Sequence, residues 1–252
     1  MEIIGYSERG LLNSIFYDIR HFRSSSYLLN EFIHLFSFPY HKIDFNVEDS
    51  KVLIEQSFSD FGDSDALLLI DGSQGKQSIF IEAKVKTFQS KNWSVEDEFR
   101  KFQVGIEKRK VSSSNLFVQL YYKQRLVREL QKGNENWRDM ELDFPESLLS
   151  ASKKKRKIGS NEVVLKAVDL LRQYCSKAYF VALVPEDGFK LRHFYEGVLR
   201  DFKPNGFPEW DVKDWGYVSW EQVKDFCEEH SLRGALNVFE FNNGQIYKQD
   251  LV

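Results

Sequence analysis

A chain of 252 residues with 42% apolar and 15% aromatic content can bury a sizeable core, as one large domain or two small ones, and is not a disordered polymer. Its net charge of −3 excludes a globally basic nucleic-acid binder, so any basic surface must be local. The two cysteines, Cys175 and Cys227, have no Cys-x-x-Cys spacing, which argues against structural zinc and for a reducing compartment. No apolar run approaches the roughly 18 residues of a membrane span, and the first residues lack a signal-peptide pattern. The expectation is a cytoplasmic protein with no membrane partner.

Residues 7–19 carry Leu11, Leu12, Ile15, Phe16 and Ile19 at helical spacing, and 25–37 carry Tyr27, Leu28, Phe32, Leu35 and Phe36 before Pro39. The period then changes. Residues 52–58, 66–70 and 79–85 read as three strands, the last two joined by Asp71-Gly72-Ser73-Gln74-Gly75 turn chemistry. Ser94 is a plausible cap for a helix over 95–110, and Leu116, Phe117, Leu120, Tyr121 and Val127 mark another over 114–131. The polar stretch 133–160, with its Lys153-Lys154-Lys155-Arg156-Lys157 run, reads as an exposed loop or weakly ordered insertion in an otherwise single domain spanning 1–252.

Asn161 can cap a helix carrying Val164, Val168, Leu171 and Tyr174, after which the continuous apolar run 178–184 reads as a strand buried on both faces. Tyr217-Val218 predicts a short strand, and Ser219-Trp220-Glu221-Gln222 a capping box for a helix to about 230. An α/β architecture, a mixed central sheet flanked by helices on both faces, accommodates this order.

The chemistry concentrates in Gly62-Asp63-Ser64-Asp65, which opens one apolar strand, and Glu82-Ala83-Lys84, which lies in the next and is the only Glu-x-Lys in the chain. Side chains alternate along a strand, so Glu82 and Lys84 share a face. A turn centred between residues 74 and 75 sets position 65 opposite 84 and brings Asp65 to that face; a slip of one residue would remove it. Two carboxylates and a backbone carbonyl form a hard oxygen site suited to Mg²⁺ or Mn²⁺, and a nearby lysine can steady the attacking water or the phosphoryl charge. The competing reading is a solvated edge hairpin that exposes Glu82 and Lys84 as an ordinary pair.

Gly62-x-x-Asp65 before an apolar strand, then Glu82-x-Lys84 on the next, resembles the active-site core of the PD-(D/E)XK nuclease superfamily, with its restriction-endonuclease-like fold. Ser64 departs from the proline of the family's name. The resemblance implies metal ligation by Asp65, Glu82 and the Ala83 carbonyl and catalysis by Asp65, Glu82 and Lys84; DNA is the expected substrate, with DNA against RNA left open by the sequence. It further implies a carboxylate from the first helix, for which Glu8 is the better choice and Glu31 the weaker, and a polar residue on the following helix, which Gln103 could supply.

Glu8 can equally be a helix N-terminal charge, and Glu55 either extends the acidic site or points to solvent. Arg100, Lys101, Lys108, Lys153, Lys154, Lys155, Arg156 and Lys157 are candidate phosphate contacts. A homodimer would suit double-strand cleavage, although no interface is readable. Two rival functions stand beside the nuclease: a catalytically silent nucleic-acid-binding module of the same fold, and a protein-interaction module with an aromatic surface.

Overall fold

The computed structural model describes residues 7–43, 45–85, 93–149 and 154–243. Two helices, α1 (Ser7–His21) and α2 (Ser25–His34), precede an antiparallel meander of β1 (Val47–Ser57), β2 (Asp63–Gly72) and β3 (Gln77–Ala83). Next come α3 (Val95–Glu107), α4 (Leu116–Gln131), the short strands β4 (Glu141–Asp143) and β5 (Lys155–Lys157), and α5 (Glu162–Arg172). The chain closes with β6 (Lys177–Val184), α6 (Gly188–His193) running into a π-helical stretch over Phe194–Leu199, β7 (Trp215–Ser219), α7 (Trp220–Glu229) and α8 (Arg233–Phe241).

The main sheet has the order β1-β2-β3-β6-β7. Its first three strands pair antiparallel, whereas β3–β6 and β6–β7 are parallel, so the sheet is mixed. All seven residues of β3 are buried, as are the seven after Lys177 in β6, because both strands are covered on two faces. Alternation on β2 sorts the layers. Ala66, Leu68 and Ile70 pack with α1, α2, α7 and α8, while Leu67 and Leu69 pack with α3, α4 and α5.

The helix starts follow local capping chemistry. Ser94 accepts from the Asp97 amide at 3.1 Å, Asn161 accepts from Val163 and Val164, and Ser219 and Gln222 form the reciprocal capping box. The second helix ends at His34 rather than at 37, because Ser37 is drawn into a bridge with Tyr217 of β7.

The segment 133–160 differs from the expected exposed loop. Trp137, Met140, Leu142, Phe144, Leu148 and Ile158 are buried against α3 and α4, and β4 pairs with β5 through Leu142 and Arg156. Its apolar residues are too widely spaced to show as a periodic run, yet those named find a place in the core. None of the described helices is long and apolar enough to cross a membrane.

Candidate functional site

The site is built where β2 begins and β3 ends, under α4. A single 3-10 turn, Ser59–Phe61, leads to Gly62, whose φ of +78° is costly for any residue with a Cβ. A Cβ on Gly62 would stand 3.3 Å from Lys123 Nζ, so the glycine serves both the turn and the close approach of α4. The β2–β3 hairpin turns at Gly72-Ser73-Gln74-Gly75, with the Gly75 amide donating to the Gly72 carbonyl at 2.8 Å.

That turn centres the hairpin one residue earlier than the sequence suggests. Ala66 pairs with Ile81 and Ile70 with Gln77, so the same register carried one step further sets Asp65 opposite Glu82 rather than Lys84. The correction is a shift of two positions, which preserves the face. Asp65, Glu82 and Lys84 therefore lie together on the α4 side, whereas Ala83 and Val85 pack on the other.

Asp65 Oδ2 accepts the Ala83 amide hydrogen at 2.7 Å. The Lys84 amide, one residue on, donates the opposite way to Leu183 in β6 at 2.9 Å, so the Ala83 amide and carbonyl face the Asp65 side. Burial, and then the negative charge of Glu82, push the Asp65 carboxyl from its ordinary 3.8 up to about 7. The Ala83 amide and Lys84 pull it down, and Glu8 adds to the upward push.

Glu82 is wholly buried, and its Oε1 lies 3.0 Å from the equally buried Lys123 Nζ of α4. Lys123 also donates to the Asp63 carbonyl at 2.8 Å. Among the described residues neither Glu82 oxygen meets an aligned hydrogen-bond donor, so the carboxylate has an ion-pair partner on one side only. Lys84 is held at three points. Its amide bonds Leu183, its carbonyl accepts from Trp220 Nε1 at 2.8 Å, and its ammonium donates to Gln119 Oε1 of α4.

The other expected residues separate into three groups. Glu8, in the first turn of α1, lies close enough for its charge to bear on Asp65. Glu55 turns outward to Arg9 at 3.4 Å, with both side chains substantially exposed, and Glu31 lines a groove with Gln222 and Asp225 under α2 and α7. The glutamine that meets Lys84 is Gln119 of α4; Gln103 belongs to α3. Gln119 and Lys123 are one helical turn apart on the same face of the largely buried α4, among enough other polar residues that the sequence does not single the pair out.

The basic residues separate too. Arg100 is paired with Asp97 and Lys101 with Glu98, each within the first turns of α3, while Lys108 is exposed just beyond the helix. Lys154, Lys155 and Lys157 are exposed, and Lys153 lies outside the described residues. Arg156 is buried and donates to the carbonyls of Asp60 and Leu148 and to the Tyr122 hydroxyl, with its guanidinium 3.9 Å from the Tyr122 ring centre. It is an internal brace, not a phosphate contact. Through the Asp60 bond, β5 abuts the 3-10 turn that leads into Gly62, so the exposed lysines 155 and 157 flank that turn.

Among the described residues, no group of three or more His, Cys, Asp or Glu side chains is arranged to hold a metal ion. The site instead offers two carboxylates, the Ala83 carbonyl and a buried Glu82 oxygen with no donor, a hard-oxygen set that suits an ion retaining several of its waters. Compared with known proteins, the chain matches no family model, no curated protein and no solved structure.

Proposed function

We propose that the protein is a Mg²⁺-dependent nuclease that hydrolyses phosphodiester bonds in DNA, with the restriction-endonuclease-like fold of the PD-(D/E)XK superfamily. The observation that carries this reading is the convergence of half-buried Asp65 and Lys84 with buried Glu82 on one face, where neither Glu82 oxygen meets an aligned donor among the described residues. An antiparallel three-strand meander followed by two parallel strands supports the fold assignment.

Asp65, Glu82 and the Ala83 carbonyl would hold the ion. A bound Mg²⁺ polarises a phosphoryl oxygen and lowers the pKa of coordinated water. Asp65 must first give up its proton, which the cation's charge favours and the Glu82 carboxylate opposes. Lys84, steered by Gln119, presents a compact positive charge to the attacking water and to the charge that develops on the phosphate. Lys155 and Lys157 beside the turn supply sequence-independent phosphate contacts.

The test is incubation with supercoiled plasmid, single-stranded DNA and RNA, with Mg²⁺, Mn²⁺ or chelator. Asp65→Asn, Glu82→Gln and Lys84→Ala are each expected to lower divalent-dependent DNA cleavage at least about 10³-fold while retaining a cooperative thermal transition. Wild-type rates in any one of the three overturn the assignment. The silent-module reading rests on a different observation, that Lys123 already serves one side of Glu82. It predicts DNA binding without divalent ions and no Mg²⁺-dependent thermal shift that Glu82→Gln removes.

A further inference from the structure

We propose that Lys123 is a resident cation of this site and that the site consequently takes one divalent ion rather than two, an inference that rests on the metal-dependent reading above. Two-ion sites place their metals about 3.5–4 Å apart and bridge them through a shared carboxylate. Glu82 is the central carboxylate here, between Asp65 on β2 and Lys123 on α4. Its Oε1 lies 3.0 Å from Lys123 Nζ as an ion pair, and among the described residues neither oxygen has a hydrogen-bond partner, so Oε2 has no partner of either kind there.

The place of Lys123 is a built one. Its side chain has no solvent exposure, it donates to the Asp63 carbonyl at 2.8 Å, and the missing side chain of Gly62 leaves it room. Taking an ammonium out of water costs several kcal/mol, and Leu120, Leu126 and Val127 show that α4 can fill this layer with apolar side chains. The charge is kept at that cost because it replaces a metal on one side of Glu82.

Charge balance agrees. Three carboxylates act on the site, Asp65, Glu82 and Glu8, and the Lys123 ammonium with one divalent ion neutralises them. Lys84 is then left to meet a singly negative phosphodiester. A second divalent ion would leave the buried site with excess positive charge and no oxygen to bridge it.

The experiment is a Mn²⁺ titration of the full chain, counting bound ions from the loss of the free-ion paramagnetic resonance signal. Wild type and Lys123→Arg are expected to bind one Mn²⁺ each. Lys123→Met is expected to bind two, with the spin-exchange broadening of a close ion pair. Two ions in the wild type, or one in a folded Lys123→Met, overturn the inference but leave the metal-dependent reading standing. No ion in the wild type overturns both. Should Lys123→Met fail to fold, the wild-type count and its exchange broadening still decide.

Discussion

Lys123 of α4 and Arg156 of β5, two of the three buried cations among the described residues, lie on the same side of the sheet, and their surroundings differ in kind. Arg156 donates to two backbone carbonyls and a tyrosine hydroxyl, stands 3.9 Å from the Tyr122 ring centre and also feels the Asp60 carboxylate; only its Nε lacks a hydrogen-bond partner among the described residues. Lys123 meets one carbonyl and one carboxylate, and that carboxylate keeps a free oxygen. The first arrangement is nearly closed: it ties β5 to the 3-10 turn and to α4, and leaves over one N–H donor and no acceptor. The second is open at Glu82. A buried charge becomes a candidate site only where its partners leave valence unused, because a closed network has already met its desolvation cost internally.

The sharpest way to break this contrast is through the Glu82–Lys123 pair itself. Removing one member of a buried ion pair leaves an uncompensated charge and costs about 3–5 kcal/mol, whereas replacing both with apolar groups of similar volume is often neutral. Lys123→Met is therefore expected to lower unfolding free energy in chemical denaturation by that amount, and Glu82→Met/Lys123→Met to recover most of it while remaining inactive. A double variant no more stable than the single one would show that the pair is not the energetic unit.

A smaller effect comes from Asp65, on the other side of Glu82. The native carboxyl holds its proton to about pH 7, whereas the unfolded chain releases it near 3.8, so the native state binds the extra proton between those values. Stability contributed by this group is thus full at the acid end and falls as pH rises to about 7, then stays level. At about 1.4 kcal/mol per unit the loss is at most on the order of 4 kcal/mol. The melting temperature of wild type relative to Asp65→Asn is expected to fall between pH 5 and pH 8, and saturating Mg²⁺ to flatten the fall, since the ion takes the proton's place. A pH-independent difference would remove Asp65 from the buried pair.

Much of this contrast is legible in the sequence on one side and little of it on the other. Glu82 and Lys84 share a face as soon as 79–85 reads as a strand, and although β3 ends at Ala83, the Lys84 amide still bonds Leu183 of β6 and holds that alternation. The turn sits one residue earlier than a centre between 74 and 75, but a displacement of two in pairing leaves the face unchanged, so Asp65 still arrives. Lys123 and Gln119 are hidden because α4 is buried nearly all round, and a helix without a solvent stripe does not reveal which polar residues point inward. Arg156 is obscured for the opposite reason. A run of five basic residues averages to a solvated loop, whereas the two-residue period of a strand sends alternate members to opposite faces.

That alternation gives the smallest and most local test. Lys155 and Lys157 are exposed, and Arg156 between them is buried, although the three are adjacent. Arg156→Met removes charge-assisted hydrogen bonds worth about 1.5–3 kcal/mol each in other settings, so a loss of about 2–3 kcal/mol is expected after the apolar replacement keeps its packing on Tyr122. DNA affinity of the folded fraction should not change. The Lys155→Ala/Lys157→Ala variant should instead leave stability within about 0.5 kcal/mol. Every DNA phosphate that a lysine no longer neutralises lowers the slope of log affinity against log salt by about 0.9 for duplex DNA, so a drop of up to about 1.8 is expected from the pair. Binding measured by fluorescence anisotropy at several salt concentrations separates the two variants. An unchanged slope in the lysine variant, or a changed one in Arg156→Met, would remove the exposed face of β5 from the proposed DNA contact.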